Sequence, residues 1–339
     1  MRRETVAEVD PVPHGSSDDP AVLDFSANTN PLVPAGVEDV YREAFDTSRR
    51  YAPEPPTAFR EAAAEYVDCT PEQVVPTPGG LAAIRRTVEL AVTEGDTALL
   101  PAPSFGEYAR EVRLQGGTPE FVPQADLLES DPADHALAVV CNPNNPTGNA
   151  YDHDALLAFA ARCRDVGTPL LVDEAFLGFT DRRSLAGTEG VIVARSLTKL
   201  FGLPGVRAGF AAATGEWADL LARTRRPWNV SVPALETGAY CMRQEAFVAE
   251  TRERVATERG RLREALSERF DVHPSDAPFL LLDVGDRDPA ALCEAALAEG
   301  VALRDATSFR GLDSHVRIAV RLPDENDRLL AVLEGLDGV

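Results

Sequence analysis

Lysine is almost missing from this chain. Of 33 basic residues in 339 positions, one is a lysine, Lys199, and the other 32 are arginine. A guanidinium stays protonated, so arginine supplies positive charge but never a neutral amine. A sequence that meets its need for charge with arginine and still keeps one lysine points to a covalent role for that amine, a Schiff base with a carbonyl compound. Lys199 follows an apolar run and precedes the turn Gly202-Leu203-Pro204-Gly205, a poor setting for a leftover surface lysine.

Positive charge is scarce overall. With 55 acidic residues the formal net charge is −22, and the acids are scattered rather than gathered in a run. That balance argues against nucleic acid, which needs a basic footprint, and against anionic membranes. Diffuse acidity with arginine in place of lysine fits a surface adapted to high salt, an expectation that a stability optimum at low salt would remove. Cysteine is sparse and odd in number: Cys69, Cys141, Cys163, Cys241 and Cys293, with no C-x-x-C spacing. Neither a metal site nor a disulfide framework is expected, and a reducing cytoplasm is the simplest home. No apolar run reaches the roughly 20 residues that a membrane span requires. Met1-Arg2-Arg3-Glu4-Thr5 leads into acidic, proline-containing sequence and does not read as a signal peptide. No G-x-G-x-x-G follows a strand pattern, which disfavours a nicotinamide dehydrogenase.

What is present is alternation. Residues 1–40 look irregular, punctuated by Pro11, Pro13, His14-Gly15 and Pro31. Helical periodicity then covers 58–67, 81–92, 105–114 and 154–164. Apolar strands are predicted at 74–75, 97–100, 136–141, 169–172, 191–194 and 207–212. Such runs with intervening helices read as a mostly parallel sheet buried on both faces. One long helical stretch follows from Pro233 to about Phe270. The tail is a smaller α+β unit with strands at 279–284, 301–304 and 316–320 and helices at 289–298 and 324–336.

Four motifs converge if the sheet is parallel, because ligands gather at the carboxyl ends of its strands. Thr77-Pro78-Gly79-Gly80-Leu81, between a strand and a helix, suits an anion at a helix N-terminus, although an ordinary tight turn would read the same. Asn142-Pro143-Asn144-Asn145-Pro146-Thr147-Gly148 is a rigid turn whose asparagine can donate into a cleft. Asp173 ends the strand Leu170-Leu171-Val172, where a carboxylate is costly unless it meets a cation such as a protonated ring nitrogen. A helix N-cap is the plainer alternative for it. Ser196, Lys199 and Arg207 can hold a phosphate and a carbonyl carbon.

Together, Asn142–Gly148, Asp173-x-Ala175-Phe176 and Ser196-x-x-Lys199 with Arg207 resemble the class I/II aminotransferase group of pyridoxal-phosphate enzymes over nearly the whole chain. The resemblance implies an α/β, aspartate-aminotransferase-like fold of type I: a large domain with a mostly parallel central sheet plus a smaller α+β domain. It divides the chain into an N-terminal arm at 1–40, a large cofactor-binding domain at 41–232, and an interdomain helix with a small domain at 233–339. It implies that Lys199 binds the cofactor aldehyde, that Asp173 pairs with the pyridine nitrogen, and that Asn145 bonds the ring hydroxyl. Ser196, Arg207 and the amides of Gly79, Gly80 and Leu81 would hold the phosphate, and Phe105 would stack on the ring. Tyr51 would reach the phosphate of a neighbouring subunit, implying a homodimer with shared sites. Arg317 would bind a substrate carboxylate. Phe176 departs from the tyrosine of many relatives, leaving Asn145 alone on the ring hydroxyl.

Two subgroups are in question, histidinol-phosphate aminotransferase and the threonine-phosphate decarboxylase of cobalamin synthesis. His14-Gly15 with Leu23–Leu32, the phenylalanine at 176, Arg304–Phe309 and the second arginine of Arg317-x-x-x-Arg321 lean toward the decarboxylase. This reading expects L-threonine O-3-phosphate as substrate. Arg317 and Arg321 would clamp its two anionic groups from one strand face, with His14 and Asn30 also at the substrate. A surface salt bridge is the other reading of Arg321.

Overall fold

The computed structural model describes residues 3–336; Met1 and Arg2, where the leader reading begins, lie outside the described residues. The helices are α1 (Arg3–Ala7), α2 (Val37–Thr47), α3 (Thr57–Val67), α4 (Gly80–Ala91), α5 (Glu107–Leu114), α6 (His153–Val166), α7 (Gly215–Thr224), α8 (Val232–Met242), α9 (Glu245–Leu266), α10 (Pro289–Ala298) and α11 (Pro323–Gly335). The strands are β1 (Leu23–Asp24), β2 (Val74–Thr77), β3 (Thr97–Ala102), β4 (Thr118–Pro123), β5 (Leu137–Cys141), β6 (Leu170–Asp173), β7 (Val191–Ser196), β8 (Gly209–Ala213), β9 (Asp271–Val272), β10 (Phe279–Asp283), β11 (Val301–Ala302), β12 (Arg304–Asp305) and β13 (His315–Ala319).

Seven strands form the large sheet in the order β2-β8-β7-β6-β5-β3-β4. Only β8 opposes its neighbours, so the sheet is mostly parallel, as expected. The reversal is local: Pro204–Val206 makes a short 3-10 turn and Arg207 takes a left-handed φ of 59° before β8 begins. The apolar runs are central because both of their faces are covered. Leu137 and Val139 of β5 enter one buried cluster, Ala138 and Val140 the other, the period-two alternation of a strand. Helix ends are locally encoded. The Asp152 side chain accepts from the amides of Asp154 and Ala155 at the start of α6, and Gly167 closes it at φ 81°.

The second sheet, β12-β13-β10-β9, is antiparallel, and β1 pairs with β11 in a third. The segment expected as one strand at 301–304 is therefore two, passing between sheets at Leu303. The long helix expected from 233 to 270 is also two, because the Gln244 side chain bonds Tyr240 O at 3.1 Å and turns the chain between α8 and α9. Among the described residues no helix is long and apolar enough to cross a membrane.

Candidate active site

Strands β5, β6 and β7 are in register at their ends, Cys141 opposite Asp173 and Asp173 opposite Ala194. Strand β2 points the same way, because β8 opposes both β2 and β7. The turns that follow these strands open onto a cavity of about 350 Å3. Its wall holds ten of the residues expected from the sequence: Lys199, Asp173, Asn145, Ser196 and Arg207, together with Gly80, Leu81, Phe105, His14 and Arg317.

Asp173 is buried, and its hydrogen bonds come from neutral donors. Tyr108 Oη–H donates to Oδ2 at 2.6 Å and the Ala175 amide to Oδ1 at 3.0 Å. Burial pushes its proton affinity up, opposed by these two bonds. The nearby cation Arg195 is occupied by Glu174, its Nη1 lying 3.2 Å from both the carbonyl and Oε2. A buried carboxylate without its own cation is a site for one.

Lys199, three residues beyond the end of β7, lines the same cavity and is half-buried. Burial first, then Arg317 and Arg207, bring its ammonium pKa down to about 8. Beside it lies an anion cradle. The Gly80 and Leu81 amides sit in the first turn of α4, which has no intrahelical acceptors for them. Ser196 Oγ is 2.9 Å from Thr198 Oγ1, and a Cβ on Gly79 would lie 2.7 Å from Arg207 Nη2. The expected amide of Gly79 is corrected: it already donates to Thr77 O at 2.8 Å, so Gly79 serves by letting the guanidinium approach. Gly209 packs the turn onto β8, where an added Cβ would meet Arg195 O at 2.6 Å, Gly79 C at 2.7 Å and Gly80 N at 2.8 Å.

Arg317 is the buried cation of the small-sheet wall. Nη1 donates to Asn145 Oδ1 at 2.6 Å and Nη2 to Ser26 O at 2.8 Å, while the rings of Phe279 and Phe309 face the guanidinium. With neutral hydrogen-bond partners, burial first and then Arg304, opposed by Asp24, bring its pKa down to about 9. The Asn145 bond also fixes that amide, its oxygen toward Arg317 and its NH2 group left to donate elsewhere.

The clamp expected of Arg317 and Arg321 is corrected. Strand β13 ends at Ala319, so period-two alternation does not reach Arg321. Arg321 instead forms a fork with Glu325 at 2.9 and 3.2 Å and donates to Asp24 O at 3.1 Å. The arginine that pairs with Arg317 on this wall of the cavity is Arg304, directly opposite it in the β12–β13 register. It donates to Pro13 O and Ser308 Oγ, both at 2.8 Å. His14 lies between the walls, 3.1 Å from Glu107 Oε1. Asn30 is corrected as well: its amide is spent on Leu200 O, Leu32 N and Arg254 Nη2, which ties down the lysine loop. Its neighbour Asn28 lines the cavity, and its buried Oδ1 has no partner. Tyr51 lies outside this chain's own cavity, 78 % exposed and stacked on Trp228 at 4.3 Å. Tyr108 was missed. Its signal was present, three residues after Phe105 at the start of a helix, on the same face.

The family model for aminotransferase class I and II matches residues 20–333. The chain belongs to this family. Its architecture is the aspartate-aminotransferase-like fold, type I, and the family cofactor is pyridoxal phosphate. This aminotransferase-family chain is 32 % identical over 330 residues to histidinol-phosphate aminotransferase 2 of Archaeoglobus fulgidus, covering 93 % of each. It is 32 % identical over 332 residues to the histidinol-phosphate aminotransferase of Halobacterium salinarum, covering 91 % of this chain and 89 % of that one. The structure of L-threonine-O-3-phosphate decarboxylase from Porphyromonas gingivalis superposes with a TM-score of 0.84 at 25 % identity, over 93 % of this chain and 99 % of that one. The decarboxylase expectation is thereby corrected: curated relatives at 26–32 % identity carry the histidinol-phosphate aminotransferase name. Of the segments that suggested the decarboxylase, Leu23–Leu32 places Asn28 at the cavity and Asn30 in the scaffold, and Arg304 lines the cavity as a cation.

Proposed function

We propose that the chain is an aminotransferase that moves the amino group of histidinol phosphate to a keto acid. The observation that carries this reading is the facing pair Arg304 and Arg317 in a cavity otherwise fitted for pyridoxal phosphate. Two substrates must use one site in turn, a phosphorylated amino alcohol and a dicarboxylate. Guanidinium forks accept either phosphate or carboxylate. The names of the curated relatives support the choice of histidinol phosphate.

The residues fit the cofactor. Asp173 offers a buried anion to a ring nitrogen, the Asn145 NH2 group a donor to the ring hydroxyl, and Phe105 a face to stack on. The α4 N-terminus with Ser196 and Arg207 suits a phosphate. Bound there, pyridoxal phosphate supplies an aldehyde for amine exchange and an electron-poor ring that withdraws electrons from the substrate Cα. The chain does the rest. Lys199 Nζ, with its depressed pKa, is poised to take the proton from the substrate Cα and to hold it for the return step. Asp173 keeps positive charge on the ring nitrogen, and Arg317 fixes the anionic substituent so that the Cα proton faces Lys199. Tyr51 and Trp228, with Tyr41 and Phe45 exposed on α2, form an aromatic surface suited to a second copy of the chain. Tyr51 would then serve the partner's cofactor phosphate.

The test is incubation of the cofactor-loaded protein with histidinol phosphate. Consumption that requires 2-oxoglutarate and yields glutamate is expected. Release of carbon dioxide from L-threonine O-3-phosphate without a keto acid would overturn the reading.

A further inference from the structure

We propose that Tyr108 holds Asp173 in place as a carboxylate, so that the cofactor ring nitrogen meets an anion rather than a neutral acid. The inference rests on the family cofactor and not on the identity of the substrate.

Asp173 ends β6 at the bottom of the cavity, where an ionised carboxyl is unfavourable without strong hydrogen bonds. Ala175 N–H secures one oxygen and Tyr108 the other. The 2.6 Å separation from Tyr108 Oη is the length of a charge-assisted O–H···O− bond. Tyr108 is fully buried, and burial beside Asp173 holds its phenol protonated, so it can only donate. Its ring meets Phe105 edge to face at 5.6 Å and 83°, so the turn into α5 and the first residues of that helix bring the stacking ring and the support of Asp173 together. The other groups around Asp173 are Cys141, Glu174 and Arg195. Burial keeps the Cys141 thiol protonated, and its Sγ–H donates to Pro143 O, while Arg195 and Glu174 satisfy each other. Among the described residues, Tyr108 is therefore the side chain that bonds Asp173 directly. It is a positioning residue that acts through Asp173.

The sign of its effect follows. Removing the hydroxyl takes a hydrogen bond from the charged form of Asp173 and raises its proton affinity. The proton shared with the ring nitrogen moves toward Asp173, and the ring loses positive charge. That charge opposes the proton on Lys199 Nζ in the loaded protein, so the Nζ proton is held more tightly. Arg317, Arg207 and Asp24, the other charges facing Lys199, are unchanged by the substitution.

The experiment is a pH titration of the visible absorption band of the pyridoxal phosphate–Lys199 adduct in purified Tyr108→Phe. The midpoint is expected to rise by about one pH unit, a 10-fold gain in proton affinity. Tyr108→His, which restores an N–H donor, is expected to bring the midpoint back toward the parent. Should Tyr108→Phe fail to fold, 3-fluorotyrosine placed at 108 keeps the shape and donates more strongly, and the midpoint should fall. An unchanged midpoint in the folded Phe variant, or an unchanged or raised midpoint with fluorotyrosine, overturns the proposal and leaves Tyr108 a packing residue.

Discussion

Gly209→Ala adds a single methyl at the point where β8, β7 and the turn after β2 touch. Its Cβ would fall within 2.8 Å of three backbone atoms, Arg195 O, Gly79 C and Gly80 N, none of which can swing aside as a side-chain tip can. Overpacking of this kind typically costs about 1–3 kcal/mol. At about 2.1 cal/mol/K per residue the unfolding entropy of a chain of 339 residues is roughly 0.7 kcal/mol/K, so Tm should fall by roughly 1.5–4 °C. The cheapest relief is outward movement of the Gly79-Gly80 turn, which carries its amides away from the anion. Losing one hydrogen bond to a charged acceptor costs about 1.5 kcal/mol or more, so pyridoxal phosphate should bind at least about 10-fold more weakly. Gly205→Ala is the matched control, since no atom lies within 4 Å of its added Cβ. Thermal melting of the apo-proteins and titration of the visible band with cofactor measure both quantities. If Gly209→Ala melts and binds cofactor like Gly205→Ala, the turn does not rest on β8 as described and the argument for the cradle fails.

Lys199→Arg should abolish turnover and the borohydride-reducible visible band, because the guanidinium offers no neutral amine. In the parent apo-protein, the rate of band formation should rise with pH with a midpoint at about 8, as the depressed pKa releases the amine; a midpoint near 10 would remove the depression. Arg304→Ala should raise KM for the phosphorylated substrate at least 10-fold. Arg321→Ala should leave KM within 2-fold and lower stability by about 1 kcal/mol, read by urea unfolding, through loss of the Glu325 fork. Phe45→Glu with Trp228→Glu should shift sedimentation toward the monomer; an unchanged sedimentation coefficient would place the interface elsewhere.

The cofactor end of the site was readable because its signals are local. Each of Asp173, Asn145 and Ser196 follows a strand of continuous apolar residues, and such runs announce both the strand and its end. The substrate end was not readable in the same way. The pairing of Arg304 with Arg317 depends on the chain leaving one sheet at Leu303 and joining another, and no periodicity encodes that register. Arg321 looked equivalent only while β13 was taken to continue past Ala319. Asn30 and Asn28 share one motif, and only the packing of the Leu200 carbonyl decides which of them is consumed by scaffold. Strand β4 escaped notice because its half-exposed residues, bounded by Pro119 and Pro123, lack the apolar run of its buried neighbours.

Arg317 donates to Ser26 across 291 positions of chain, and β1 pairs with Val301–Ala302. A nascent polypeptide leaving the ribosome therefore carries its lysine, its aspartate and its glycine turn long before it owns a complete pocket. Strand β1 must wait, unpaired, for a segment made almost last. Premature termination between Lys199 and β13 yields a product that carries the amine and no anchor for what that amine should act upon.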